Sequence, residues 1–172
     1  EESFEIQVKV PITDITPILK ALELPEISIL RRRHYREYDT YFSFDDPEQG
    51  YLRYREDQSI DDNGQVSHVR SRLTHIGPAV EDRFPQQVLL SRSRYLAPAG
   101  QSLRFYREYF KPNSEHEIEK DRLRFKVVYR GEEFFINIDE MRKPALGYYL
   151  EIKSRTWSRK DAEEKSRQIV EL

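Results

Sequence analysis

Phe4-Glu5-Ile6-Gln7-Val8-Lys9-Val10 alternates apolar and polar side chains without a break. A strand sends successive side chains to opposite faces, so Phe4, Ile6, Val8 and Val10 share one face while Glu5, Gln7 and Lys9 share the other. The same period recurs along the chain. Tyr51-Leu52-Arg53-Tyr54-Arg55 brings Arg53 and Arg55 together, and residues 69–76 set Arg70, Arg72 and Thr74 against Val69, Ser71 and Leu73. Runs 124–130 and 134–139 continue the pattern, and 148–153 sets Leu150 and Ile152 against Tyr149, Glu151 and Lys153. Stretches 35–44 and 88–95 are extended by composition, with less clear phase. About eight strands are expected.

Helices are fewer. Thr16 can cap a helix that has Pro17 at its first position, where the missing N–H costs nothing, and that runs on through Ile18, Leu19 and Leu22. Residues 102–110 place Leu103, Tyr106 and Phe110 at helical spacing, and Tyr106, Tyr109 and Phe110 read as core packing. Ser158-Arg159-Lys160-Asp161 is a capping-box-like start with Asp in the acidic position. Trp157 and Ala162 stand where a hydrophobic staple would sit, and Ile169 and Leu172 continue the apolar stripe. The order strand, helix, strands, helix, strands, helix is not βαβ alternation. It fits an antiparallel α+β barrel.

The chain has 172 residues and a mass of 20.7 kDa, the size of one domain spanning 1–172. It opens on Glu1 rather than Met, which reads as a segment of a longer protein carrying a fused domain. With no cysteine there are no thiolate metal sites, Cys nucleophiles or disulfides, and a cytoplasmic location fits. No apolar run approaches the roughly 18 residues of a membrane span. A net charge of −2 argues against a general nucleic-acid binder. The basic residues are 20 Arg and 9 Lys, and arginine's planar fork suits carboxylates and phosphates. His34, His68, His75 and His116 have no metal-binding helical spacing, and the Ser and Thr residues form no nucleophile elbow. Arg31-Arg32-Arg33 reads as a solvated loop before a strand, with contact to nucleic acid or an acidic partner as the other reading. The polar strand faces likewise admit two readings. They face water, as in most antiparallel sheets, or they turn inward and line a wet barrel whose apolar outside the helices cover.

Glu5-x-Gln7-x-Lys9 resembles the ExExK signature of the CYTH superfamily, the triphosphate tunnel metalloenzymes. That family includes class IV adenylate cyclases, thiamine triphosphatases and inorganic triphosphatases. Tyr38-Asp39-Thr40-Tyr41-Phe42 resembles its second-strand D-x-Y-F element, Leu52-Arg53-Tyr54-Arg55 its LRxR, and Leu73-Thr74-His75-Ile76-Gly77-Pro78 its LTxKGP turn. Arg124-x-Lys126-x-x-Tyr129 resembles KxRxxY with the basic types exchanged. Ile138-Asp139-Glu140, then Leu146-Gly147 and Leu150-Glu151-Ile152-Lys153, resemble the closing LDxV…LGxFxExE. The resemblance implies a closed eight-stranded antiparallel barrel, a tunnel with a charged lumen and outer helices, holding a triphosphate lengthwise. By that resemblance Lys9, Arg53, Arg55, Arg72, Arg124 and Lys126 contact phosphate. Glu5, Asp139 and Glu151 hold one or two Mg²⁺ or Mn²⁺ ions, with Gln7 as a weaker ligand. Four positions depart from the pattern. Gln7 and Lys153 each replace a carboxylate, Ile76 replaces a basic residue, and Ser91-Arg92-Ser93-Arg94-Tyr95 has no Glu in phase.

The expected activity is metal-dependent hydrolysis of inorganic triphosphate, short polyphosphate or an organic triphosphate, with Glu5, Lys9 and Glu151 as the catalytic candidates. The alternative, motivated by the departures, is a module that binds triphosphate or polyphosphate with little or no turnover. Cyclisation ranks below both, because no base-specific pocket can be read. Residues 79–100 carry no functional assignment.

Overall fold

The computed structural model describes residues 4–76, 82–84, 88–92, 95–156 and 158–172. The alternating runs become strands of a single antiparallel sheet. In chain order the elements are β1 (Phe4–Ile12), α1 (Thr16–Ala21), β2 (Ile27–Ser43), β3 (Tyr51–Ile60), β4 (Val66–Ile76), β5 (Asp82–Phe84), β6 (Val88–Arg92) and β7 (Tyr95–Pro98). Then follow α2 (Leu103–Phe110), β8 (Ser114–Tyr129), β9 (Glu132–Lys143), β10 (Ala145–Thr156) and α3 (Arg159–Glu171). The strands pair in the order β5-β6-β1-β10-β9-β8-β2-β3-β4-β7. The expected run 88–95 divides between β6 and β7, and β5 is a short extra strand. Among the described residues no pairing joins β5 to β7, so the architecture is an open antiparallel α+β sheet, and the expected closure into a barrel is not seen.

The apolar face of β1, β10, β9 and β8 forms the core. Ile6, Phe125, Val127, Phe134, Ile136, Ile138 and Ile152 bury together against Ala162 and Ile169 of α3, with Leu22, Ile18 and Leu19 from the α1 side. These two helices cover the outside of the sheet. The α3 start is as expected: Ser158 Oγ accepts from the Asp161 N–H at 3.1 Å. Trp157 lies outside the described residues. The α1 start differs: Ile15 takes the cap position without a side-chain cap, and the Thr16 N–H donates to Asp14 Oδ1 at 2.9 Å. Asp14, two residues ahead of Thr16, closes an Asx-type turn that leads into the helix.

Two other readings are corrected. Residues 31–33 belong to β2, which begins at Ile27, so the arginine triplet is strand rather than loop. In α2, capped by Ser102 Oγ, Tyr106 packs on Tyr54 with ring centroids 5.9 Å apart. Tyr109 is 70% exposed and stacks only on its helix neighbours, so it is not core. The hairpin between β8 and β9 has the two-residue turn Arg130-Gly131, both at positive φ (50° and 81°). That is the turn geometry whose twist matches paired antiparallel strands.

Phe134 is fully buried at the centre of this core. Phe134→Ala is expected to cost about 3–5 kcal/mol, read from the urea midpoint. A loss under about 1 kcal/mol would mean that the helices do not depend on this face.

Candidate functional site: a buried charged face

Side chains of residues that oppose each other across antiparallel strands lie on the same face. Lys9 opposes Glu151, Glu151 opposes Asn137, Asn137 opposes Arg124, and Arg124 opposes Arg33. A second row runs from Asp139 through Arg122 to Tyr35. A third runs from Lys120 through Glu37 and Asp57 to Arg70, and Asp39 opposes Arg55, which opposes Arg72. Strand period then brings Glu5, Arg53, Lys126 and Lys153 to the same side. Every expected site residue therefore lies on the face opposite the α1 and α3 core.

That face is enclosed although its side chains are ionic. Glu37, Asp39, Arg53, Arg55, Asp57, Lys120, Arg122, Asp139 and Glu151 are all buried, and Asp139 is 0% exposed. Of the two readings of the polar strand faces, this burial favours the inward one, though without the closed barrel. On β4 the opposite face is the wetter one, with Thr74 fully buried and Val69 half exposed.

Burial of a charge is tolerated only with a partner. Arg122 provides the central one. Its Nε and Nη2 donate to the two Asp139 carboxylate oxygens at 2.7 and 2.8 Å, a bidentate fork. Its guanidinium also lies 3.7 Å from Glu37 Oε1 and 3.8 Å from Glu151 Oε1. Arg55 repeats the fork on Asp39, with both bonds 2.7 Å, and reaches Glu37 at 3.3 Å. Lys120 Nζ lies 3.4 Å from Glu37 Oε2, Asn137 Nδ2 donates to Glu151 Oε1 at 2.9 Å, and Arg72 donates to Asp57 at 2.9 Å. At the periphery Lys126 meets Glu133 at 3.3 Å, and Lys9 sits over the Tyr149 ring.

Glu37, Asp39, Asp57, Lys120, Arg122 and Asn137 were missing from the expected site. The signal for Arg122 and Lys120 was the phase of Arg124 and Lys126 carried back along the same strand. Glu37 and Asp39 lay in the stretch whose phase was unclear.

The pairing sets the proton affinities. Burial pushes the Glu151 carboxyl up, but Arg122, Lys153 and the Asn137 hydrogen bond outweigh it and hold the pKa at about 2. Glu37 is likewise held well below the usual carboxylate range, burial being outweighed by Arg122, Arg55 and Lys120. Burial and then Arg122 bring Lys120 down to about 8, against the pull of Glu37. Burial also lowers Lys153, and burial with Arg122 lowers Arg124.

A hard divalent ion needs several oxygen ligands converging on one point. Among the described residues no three His, Cys, Asp or Glu side chains do so. Both Asp139 oxygens are held by Arg122, Glu151 is held by Asn137 beside Arg122, and Glu5 has Lys153 at 3.9 Å. This donor set does not suit Mg²⁺ or Mn²⁺. Ser91–Tyr95 falls partly outside the described residues. The histidines serve locally: His34 Nε2 lies 2.7 Å from Asp121, and His116 stacks on Tyr41.

Arg122→Met removes the shared partner of three carboxylates and is expected to destabilise the fold by about 3–5 kcal/mol in denaturant unfolding. A cost below about 1 kcal/mol would show that the network is dispensable. The pH dependence has a defined sign. Glu151, at about 2 against an ordinary 4.5, gives stability that is complete above 4.5 and lost as pH falls through 2. Lys120, at about 8 against 10.5, carries a cost that is present below 8 and relieved as pH rises towards 10.5. The urea midpoint should therefore fall on acidification from pH 5 to 2, and less steeply in Glu151→Gln. Equal slopes in the two proteins would contradict the assignment.

No protein-family model and no curated protein matches the chain. Its fold resembles that of the PH1819 protein of Pyrococcus horikoshii OT3, at 20% identity over 97% of this chain and 88% of that one, with a TM-score of 0.65. It also resembles a Vibrio parahaemolyticus protein titled "putative adenylate cyclase", at 12% identity, 98% and 86% coverage and a TM-score of 0.56. A third similar structure is a chain of the Schizosaccharomyces pombe Mediator head module, at 11% identity, 98% and 92% coverage and a TM-score of 0.58. At these identities the likeness is one of fold. Among the described residues no helix is long and apolar enough to cross a membrane.

Proposed function

We propose that the enclosed face binds the phosphate chain of a triphosphate or short polyphosphate, gripped by arginine and lysine without a resident divalent metal. One observation carries the reading. Gln7 and Lys153, the two positions where a carboxylate of the CYTH pattern is replaced, oppose each other in register on β1 and β10. One carboxylate is neutralised and the other becomes a cation at the same place. Beside them Arg124 stacks on the Phe135 ring at 4.0 Å, and its buried Nε has no hydrogen-bond partner among the described residues. Arg124 and Lys153 are held below their ordinary proton affinities by burial and by neighbouring cations. An anionic oxygen between them would relieve that strain. Lys9, Arg53, Arg72 and Lys126 extend the same basic wall, while the strong arginine forks on Asp39 and Asp139 hold the frame rather than the ligand. A phosphate chain carries several negative charges, and converging cations from different strands recognise it by charge-assisted hydrogen bonds. A barrel closed around the chain, as in the tunnel enzymes, belongs to this proposal.

The test is thermal shift and titration calorimetry with inorganic triphosphate, ATP and thiamine triphosphate, in EDTA or with Mg²⁺ or Mn²⁺, alongside phosphate release. Stabilisation in EDTA is expected, weakening with salt and falling about tenfold or more in Arg124→Ala/Lys153→Ala, without phosphate release. Binding that requires Mn²⁺, with phosphate released and lost in Glu5→Ala, would overturn the metal-free reading and establish a hydrolase instead.

A further inference from the structure

The N-terminal half of β2 has a neighbour on one side only. β8 pairs with β2 along its length from Ile27 to Ser43, but β3 joins it only from Tyr35. β3 stops at Ile60 and turns back, the Asp61 N–H bonding the Gln65 carbonyl at 2.9 Å. Among the described residues no strand takes the other edge of residues 27–34. Residues 28–33 are exposed without interruption, where a half-buried strand would alternate. Ile29 and Leu30 are about half exposed. Beside this edge a hollow of about 510 Å³ is bounded by Arg32, Arg33 and His34 on β2 and by Ser59, Asp61 and Ser67 around the β3–β4 turn. Asp61 is occupied by its own turn, accepting the backbone N–H groups of Asn63 and Gln65.

The charge on the strand itself is one-sided, although Asp61 and Asp62 of the turn also line the hollow. Among the described residues Arg31, Arg32 and Arg33 form no ion pair, and Arg32 only lies over the Phe125 ring at 5.6 Å. The register shifts between Ile29 and Arg31. A bulge and a run of like charge are the devices that stop an open edge from pairing with a copy of itself. An antiparallel second copy would set arginines against arginines. The same features favour a strand of opposite charge, because cross-strand neighbours of opposite sign attract and like signs repel.

We infer that this edge receives an extended acidic segment of another protein. The segment adds to β2 along the line that β3 vacates, its backbone taking the open N–H and C=O groups. Its carboxylates, all on one face, meet Arg31 and Arg33, and its apolar side chains on the other face cover Ile29. This is strand addition, in which the main chain supplies affinity and the side chains specificity. Arg32 lies on the outer side with Phe125, whereas Arg31 and Arg33 oppose Lys126 and Arg124 of the basic wall, so the two readings meet at this rim and are separated by the ligand tested, a peptide strand here and a phosphate chain there.

The experiment uses the full chain and a fluorescent peptide of alternating Glu and Val, seven residues long, followed by anisotropy and by amide hydrogen exchange. Controls are the same peptide with Lys for Glu, one with Pro for each Val, and a single-stranded oligodeoxynucleotide of equal charge. The Glu peptide is expected to bind, to slow exchange at residues 28–33, and to bind about tenfold or more weakly to Arg31→Glu/Arg33→Glu, while the Lys and Pro peptides do not bind. No binding, equal binding of the Pro peptide, tighter binding of the oligonucleotide, or an unaffected double variant would each overturn the inference. Should the double variant fail to fold, exchange protection in the unchanged chain decides.

Discussion

The structure depends on a guanidinium buried among carboxylates. Arg122 forks onto Asp139 and lies within 4 Å of both Glu37 and Glu151, so one cation from β8 ties together β9, β2 and β10. Such a cluster has no tolerable alternative geometry, because any member left alone would be a buried bare charge. It therefore fixes register. Sliding β8 by one residue would bring Leu123 into the ionic cluster and send Arg122 into the apolar layer with Phe125 and Val127. The core on one face and the ion cluster on the other demand the same alignment.

The same cluster decides what the face can hold. Carboxylates that clamp arginines are poor metal ligands, since their lone pairs are already used and their charge is cancelled. Where the forks end, around Lys153, Arg124 and Gln7, the pairing is looser: Lys153 has Glu5 only at 3.9 Å, and Arg124 lies over the Phe135 ring. The structure thus divides one basic wall into a framing part, Arg55 and Arg122, and a part with electrostatic capacity to spare. The low proton affinities of Arg124 and Lys153 belong to that second part. A ligand anion would complete there the pairing that protein carboxylates complete elsewhere.

Period-2 alternation made most of this readable beforehand. The faces of β1, β3, β4, β8, β9 and β10 follow from their residues, because a strand's geometry leaves only two sides. What escaped was long-range. Residues 35–44 showed no clear phase, since Tyr35, Tyr38 and Tyr41 suit either side of a strand, and so Glu37 and Asp39 were not placed. Strand length escaped too: Arg31-Arg32-Arg33 looks like loop by charge, and only pairing with β8 makes it strand. The cap position of α1 falls on Ile15 rather than Thr16, with Asp14 closing the turn before it, a backbone outcome that residue type alone does not decide. The exposure of Tyr109 reflects where α2 docks, a tertiary fact invisible to helical spacing.

The two faces of the sheet are constrained differently. The outer face must stay apolar to bury α1 and α3, so its residues are constrained by type. The inner face must only balance its charges, and many combinations of acid, amide and base do so in the same register. Gln7 and Lys153 occupy opposed positions on that inner face, where exchange of a carboxylate for an amide or an ammonium leaves the apolar layer untouched. Such changes on the inner face leave the architecture of the fold intact. Its chemistry has to be read from which inner charges are already paired, and the sheet alone does not reveal it.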